Sequence, residues 1–296
     1  MLVLTLTRPR PTITRDVLDA FERAIGEAER RFAALVICSA DKHFAFGANL
    51  NAELDAAAAG RLEPLDAALA NYQRVMLRLR HASVPTVAAV RGVAISGGCE
   101  VLMHCTRVVA HPESRIGLME PLAGVVPSGG GLKECAYRAS RSADPARQII
   151  LSFETICACA ALDASRAQRQ GLLTEFDNVN AIDPLAEAIA LGSKLRTAGH
   201  TAPASNPSFL TVGEDTLRIL RAAQATMLGH GKLTTHQFEV NMRIAQILCG
   251  GGESQAIHTE AELFALERQH FLALAQMPLT QARIEHLRST GKPLLN

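Results

Sequence analysis

Two acids stand where acids are costly. Glu100 follows Gly97 and Gly98 in ISGGCEVLMH (95–104), whose other members are nearly all apolar. Glu120 lies in RIGLMEPLAGVVPSGGG (115–131), again between apolar neighbours, directly before Pro121 and upstream of a glycine run. Either carboxylate alone is explained as readily by an ion pair or a backbone cap as by chemistry. Two of them beside glycine turns suggest general acid–base work, in which one group takes a proton and another delivers one.

A helix over 97–105 would give Glu100 its setting. The first amides of a helix lack intrahelical partners and carry the positive end of its dipole, so Gly97 and Gly98 would form an end that attracts negative charge. Gly97 and Glu100 are three residues apart and share one helix face. The missing side chain at Gly97 lets a ligand oxygen approach the backbone. An oxyanion donor and a carboxylate would then sit side by side. Pro121 biases Glu120 toward an extended backbone, suited to a residue aimed from a loop into a pocket.

The surrounding pattern supplies a scaffold for such turns. LVLTL (2–6), ALVIC (34–38), VPTVAAV (84–90) and RVVAH (107–111) read as buried strands. Thr14 can cap an amphipathic helix over RDVLDAFERAIGEAERR, and helical spacing recurs from Pro64 to about Ala82 and over 144–152, 163–170 and 183–198. PSGGGLKECAYRAS (127–140) reads as a glycine turn opening a helix. Around TAGHTAPASNPS (197–208) the composition shifts to Pro, Ser, Ala and Thr, which marks a linker or long loop. Beyond it, EDTLRILRAAQATML, THQFEVNMRIAQIL and TEAELFALERQHFLALAQM show apolar residues at helical spacing opposite charges. The reading is therefore a core over 1–200 and a helical packing or oligomerisation region over 201–296.

Composition narrows the function. With 30 Lys+Arg against 29 Asp+Glu in 296 residues, the net charge of +1 provides no general pull toward nucleic acid or anionic membrane, so a small-molecule partner is expected. The seven cysteines are odd in number, mostly in apolar runs, and lack paired CxxC spacing, so they read as reduced core residues of a cytoplasmic protein with no metal site. The opening apolar stretch is too short for a signal sequence, and no run approaches a membrane span. No GxGxxG follows an early strand, and GHGKLTT (229–235) lacks the spacing and hydroxyl of a P-loop, so no nucleotide cofactor site is read.

HFAFGANL (43–50) and VPTVAAVRGVAISGGCEVLMHCTRVVAHPESRIGLMEPLAGVVPSGGGLKE (84–134) resemble the two signature regions of the crotonase (enoyl-CoA hydratase/isomerase) superfamily over roughly residues 1 to 200. FETICACAALDASRAQRQGLL (153–173) and the closing QARIEHLRSTGKPLLN (281–296) are similar to the hydratase part of bacterial fused proteins in which a 3-hydroxyacyl-CoA dehydrogenase precedes it. The resemblance implies an α/β fold, a spiral of ββα units followed by helices that build trimers. It implies an oxyanion hole at the backbone N–H groups of Ala48 and Gly97 and catalytic acids at Glu100 and Glu120. The CoA moiety, which is part of the substrate and not a separate cofactor, would lie along the 42–50 loop. Lys42 and His43 then either meet its phosphates or adenine or are simply solvated. Gly47 lies in the same loop, while Phe46 and Met119 either line the acyl pocket or belong to the core. His104 and Cys105 read as core residues. Two departures stand out: Asn49 occupies a position where the family often has an acid, and TRPRPTIT lacks the usual asparagine-rich turn.

The favoured activity is hydration of a 2-trans-enoyl-CoA to a 3-hydroxyacyl-CoA, with a 3-hydroxyacyl-CoA dehydrogenase as the partner that the resemblance implies. A double-bond isomerase on the same scaffold would need one acid to shuttle a proton between C2 and C4, and the presence of both acids argues against it. A non-catalytic binding relative predicts lost acids or a basic face, and the sequence has neither.

Overall fold

In the computed structural model, residues 1–252 and 254–296 are described. The chain begins β1 (Leu2–Leu6), α1 (Arg15–Arg31), β2 (Leu35–Ser39), α2 (Asn51–Ala58), α3 (Glu63–Arg80), β3 (Thr86–Val90), β4 (Val93–Ile95) and α4 (Gly97–His104). It continues through β5 (Arg107–Ala110), β6 (Arg115–Gly117), a 3-10 turn at Glu120–Ala123, α5 (Gly131–Ser140), α6 (Pro145–Cys157), α7 (Ala164–Arg169) and α8 (Pro184–Thr197). The last elements are β7 (Ser208–Leu210), α9 (Gly213–Gly229), α10 (Thr235–Leu248), β8 (Ile257–Thr259), α11 (Glu260–Ala275) and α12 (Pro278–Thr290). The fold class is α/β, as the sequence reading expects.

Two compact units are interleaved along the chain. The first holds residues 1–49, 71–118 and 161–205, and the second holds 50–70, 119–160 and 206–296. Segments 50–70 and 119–160, which the sequence reading places in a 1–200 core, thus group with the C-terminal helices.

In the first unit, β1, β2, β3 and β5 form a parallel sheet in that order. Leu35, Val36 and Ile37 are fully buried, as an uninterrupted apolar run must be when both faces of a parallel strand are covered. Thr14 accepts a hydrogen bond from the Val17 amide, and α1 buries Leu18, Phe21, Ile25 and Ala28. One core cluster joins Val36, Cys38, Val87, Ala89 and Val109 of the sheet to Ala181 and Ala188, with Ile189, Leu191 and Leu195 of α8 packed against it. A second, two-stranded parallel ladder pairs β4 with β6. Its length of three residues per strand explains why no alternation was legible there.

In the second unit, α10 is the central helix, with Val240, Ile244, Ala245, Ile247 and Leu248 buried. It packs against α5, α6, α9 and α11. The Asn241 side chain donates to Gln224 on α9, 2.7 Å away, in a buried polar link between the two helices. β7 and β8 form a short antiparallel ladder. No helix among the described residues is long and apolar enough to cross a membrane.

Candidate active site

The loop before α2 is held by backbone hydrogen bonds on both sides. Phe46 donates to the Pro11 carbonyl (2.7 Å), Ile13 to Gly47 (3.3 Å) and Asn49 to Ile13 (3.1 Å). Ile95 donates to Ala45 and Gly98 to Phe46, each at 3.1 Å. Asp41 anchors the start of the loop by accepting from the amides of His43 and Arg10, and these bonds hold its carboxyl below the usual range. The Val93 amide donates to His43 Nδ1 at 3.1 Å, which places the proton of the neutral ring on Nε2. The His43 ring stands edge-on to Phe46, and the Arg10 guanidinium lies 5.2 Å from the Phe46 centroid. Lys42 is exposed at the head of this loop.

Among the amides that this strapping leaves over are those of Ala48 and Gly97. Among the described residues, neither the Ala48 nor the Gly97 N–H donates a hydrogen bond to a protein group. They are neighbours: a Cβ placed on Gly97 would lie 3.1 Å from the Ala48 nitrogen. The helix that begins at Gly97 is entered through Ser96 at φ 52° and ψ −124°, a conformation L residues rarely adopt. Ser96 itself is tied to β6 by its amide, which donates to the Gly117 carbonyl at 2.8 Å.

Every residue of α4 is buried, as the apolar run demands. Glu100 is 2% exposed, one turn into that helix, and its amide donates to Ser96 (3.0 Å). His104 Nδ1 donates to the Glu100 carbonyl at 2.7 Å, so His104 is a hydrogen-bonded core residue, as read. Burial raises the Cys105 thiol far above its ordinary pKa, leaving a neutral cysteine that is half-buried rather than in the core. The first unit therefore gathers Phe46, Gly47, Ala48, Gly97 and Glu100, while Lys42 lies on the exposed side of the loop.

One neighbour escaped the sequence reading. Tyr72 on α3 donates its phenol to the Gly97 carbonyl at 3.0 Å. It is one of only two tyrosines in the chain, and a buried phenol needs a polar partner, which is the signal that could have marked it.

Met119 and Glu120 belong to the second unit. Glu120 is half-buried at the first position of the 3-10 turn, with Met119 as its half-buried N-cap. This corrects the extended backbone expected before Pro121. At the start of a helical turn the fixed φ of proline fits and its missing N–H costs no hydrogen bond, so the Glu-Pro pair begins a turn. Gly124 closes it at φ 78°. Cys159 lies in the electrostatic field of this acid: burial first, and then the Glu120 charge, push the thiol up to about 12. Among the described residues, no three of His, Cys, Asp and Glu are grouped so as to hold a metal ion.

The enoyl-CoA hydratase/isomerase family model matches residues 1–235. The chain belongs to that family. This is the crotonase superfamily that the glycine turns and acids resemble. A probable 3-hydroxyacyl-CoA dehydrogenase of Bacillus subtilis is 30% identical over 95% of the chain, which spans only 36% of that relative. A probable enoyl-CoA hydratase of Rhizobium meliloti is 31% identical over 69% of the chain and 74% of the relative. Among solved structures, an enoyl-CoA hydratase from Bacillus halodurans superposes with a TM-score of 0.60 at 17% identity, covering 96% of each chain. An enoyl-CoA hydratase/isomerase from Xanthobacter autotrophicus Py2 gives 0.59 at 21% identity, covering 98% of this chain and 90% of that one. At these identities the superpositions establish the fold of this family member.

Proposed function

We propose that this family member adds water across the 2-trans double bond of an enoyl-CoA thioester to give a 3-hydroxyacyl-CoA. The observation that carries the reading is the pair of adjacent amides at Ala48 and Gly97, one turn before a buried Glu100. A thioester oxygen accepting from both amides gains negative charge as C3 is attacked, and fixed donors aimed at that oxygen stabilise the enolate by several kcal/mol. Glu100 takes a proton from the attacking water as its oxygen bonds to C3. Glu120 delivers a proton to C2, the enolate collapses to the thioester, and the acids return to their starting states by exchange of one proton with solvent.

The CoA moiety enters with the substrate along residues 42–50, and no separate cofactor is needed. Lys42 meets its phosphates, while Phe46, Gly47 and Met119 border the acyl thioester. Names of relatives in which a dehydrogenase or a whole fatty acid oxidation complex shares the chain support a 3-hydroxyacyl-CoA dehydrogenase as the partner that consumes the product. The reading also includes a cytoplasmic, trimer-based homo-oligomer, with Ile219 and Met227 exposed on α9 as support.

Glu100→Gln and Glu120→Gln keep the shape of each side chain while removing its ability to exchange a proton. Each should lower the hydration kcat by about a hundredfold or more. Native rates in either variant would remove that acid from the mechanism, and proton exchange between C2 and C4 without hydration would move the assignment to the isomerase.

A further inference from the structure

Two carbonyls of the turn that carries Glu120 accept from one helix, beside the turn's own bonds from the Gly124 amide to Pro121 (3.1 Å) and from the Val125 amide to Glu120 (3.4 Å). Thr280 on α12 donates its hydroxyl to the Gly124 carbonyl at 3.0 Å, and Arg283, one turn later, donates to the Pro121 carbonyl at 3.2 Å. Both side chains are buried, Arg283 being only 1% exposed. The Thr280 hydroxyl has one proton and spends it on Gly124, so His236 on α10, 3.0 Å away, donates from Nε2. Burial lowers the His236 pKa, and the nearby Arg283 lowers it further, which keeps this ring neutral.

Arg283 is held in turn by Gln237 Oε1 at 2.7 Å and by Asn296, whose side-chain oxygen accepts from Nε at 2.8 Å. The fit is close. A Cβ on Gly124 would stand 3.1 Å from Arg283 Cδ, 3.1 Å from His236 Nε2 and 3.2 Å from Thr280 Oγ1. A fully buried guanidinium spent on a backbone carbonyl is an expensive way to fasten a loop, since its desolvation costs several kcal/mol. That cost is understandable where the fastened turn must hold a proton-transferring group in place, because a shift of about 1 Å can lower a rate by about a hundredfold.

We infer that Thr280 and Arg283, braced by His236 and Gln237, are positioning residues that fix the Glu120 turn for proton delivery. The inference rests on the reading of Glu120 as the proton donor. It extends the site to the last helix of the chain, 160 residues beyond the acid itself.

The test is a double-mutant cycle in the full chain with an enoyl-CoA substrate. Thr280→Val keeps the shape of the side chain and removes the hydroxyl. It should lower kcat about tenfold with KM within about twofold, and Thr280→Ser should restore most of the loss. In the Glu120→Gln background, Thr280→Val should lower kcat no further, because the group it positions no longer transfers a proton. Arg283→Lys, which shortens the reach to Pro121, should behave in the same way. Equal losses in both backgrounds would mean that α12 only stabilises the fold, and native kcat in a folded Thr280→Val protein would mean that the turn holds itself; either overturns the inference while leaving the hydratase reading intact. A native protein without hydratase activity, or a Glu120→Gln variant at the native rate, would instead overturn the hydratase reading and this inference with it.

Discussion

Gly97 and Gly98 are adjacent in sequence and make opposite demands. A Cβ on Gly98 would stand 2.4 Å from the Ala45 carbonyl oxygen, a backbone atom of the loop strap. Gly98→Ala should therefore cost about 1–3 kcal/mol of stability through overpacking, measured by chemical denaturation. A Cβ on Gly97 meets the Tyr72 hydroxyl at 2.8 Å and the Ala48 nitrogen at 3.1 Å, so Gly97→Ala should displace the Ala48 amide, one of the two donors proposed to hold the thioester oxygen. Its kcat should fall roughly ten- to a hundredfold with a smaller loss of stability than at Gly98. Equal kcat in Gly97→Ala and the native protein would contradict the amide pair as a charge-stabilising site. The position of Glu100 was readable because two glycines and an apolar run leave few alternatives to a buried helix start. The 3-10 turn at Glu120 was not, because the bias of a pre-proline residue is weak against tertiary hydrogen bonds from Thr280 and Arg283, which lie far along the chain.

Among the elements, α5 begins at a glycine turn that the sequence marks plainly, but its anchor is supplied from a distance. Both oxygens of Glu267 on α11 accept from its first turn, the amides of Gly130 (2.8 Å) and Lys133 (2.7 Å). Lys133, at 0% exposure, pairs with Glu134 and with Glu260 of α11, its ammonium 5.0 Å from the Phe264 ring centroid. Lys133→Met removes the ammonium that both carboxylates face and should destabilise the protein by about 3–5 kcal/mol in denaturant titration. A loss under about 1 kcal/mol would show that the cluster reorganises. Periodicity located α1, α10 and α11 nearly to the residue. It missed α2 and the three-residue strands, which are too short to show a period, and it gave no hint that Lys133 and Glu260 would pair.

For the whole molecule, pH is a broad probe of burial. Burial, assisted by the Arg243 charge, lowers His270 to about 4, and Arg243 lies 3.4 Å from its Nδ1. An unfolded histidine takes up its proton near pH 6.5, well before the folded one does, so stability should fall as the pH drops from about 6.5 to 4 and level off outside that window. His270→Asn should flatten that part of the curve of melting temperature against pH, and an unchanged slope would assign the acid sensitivity elsewhere. The α/β class was legible from local runs of strand, glycine turn and buried helix, and the family from the resemblance of residues 43–50 and 84–134 to its signature regions. The interleaving of the two units was not, because 50–70 and 119–160 carry no compositional break and join the C-terminal helices only through packing. All of these placements bear on one chemical claim. The most direct measurement is the ultraviolet absorbance of a conjugated 2-trans-enoyl-CoA after addition of the native chain, because hydration destroys the conjugation between the double bond and the thioester. Paired-acid hydration should give catalytic decay with 3-hydroxyacyl-CoA as the product, abolished in the Glu100→Gln, Glu120→Gln double variant. Tight binding of the thioester with no change in absorbance would contradict it.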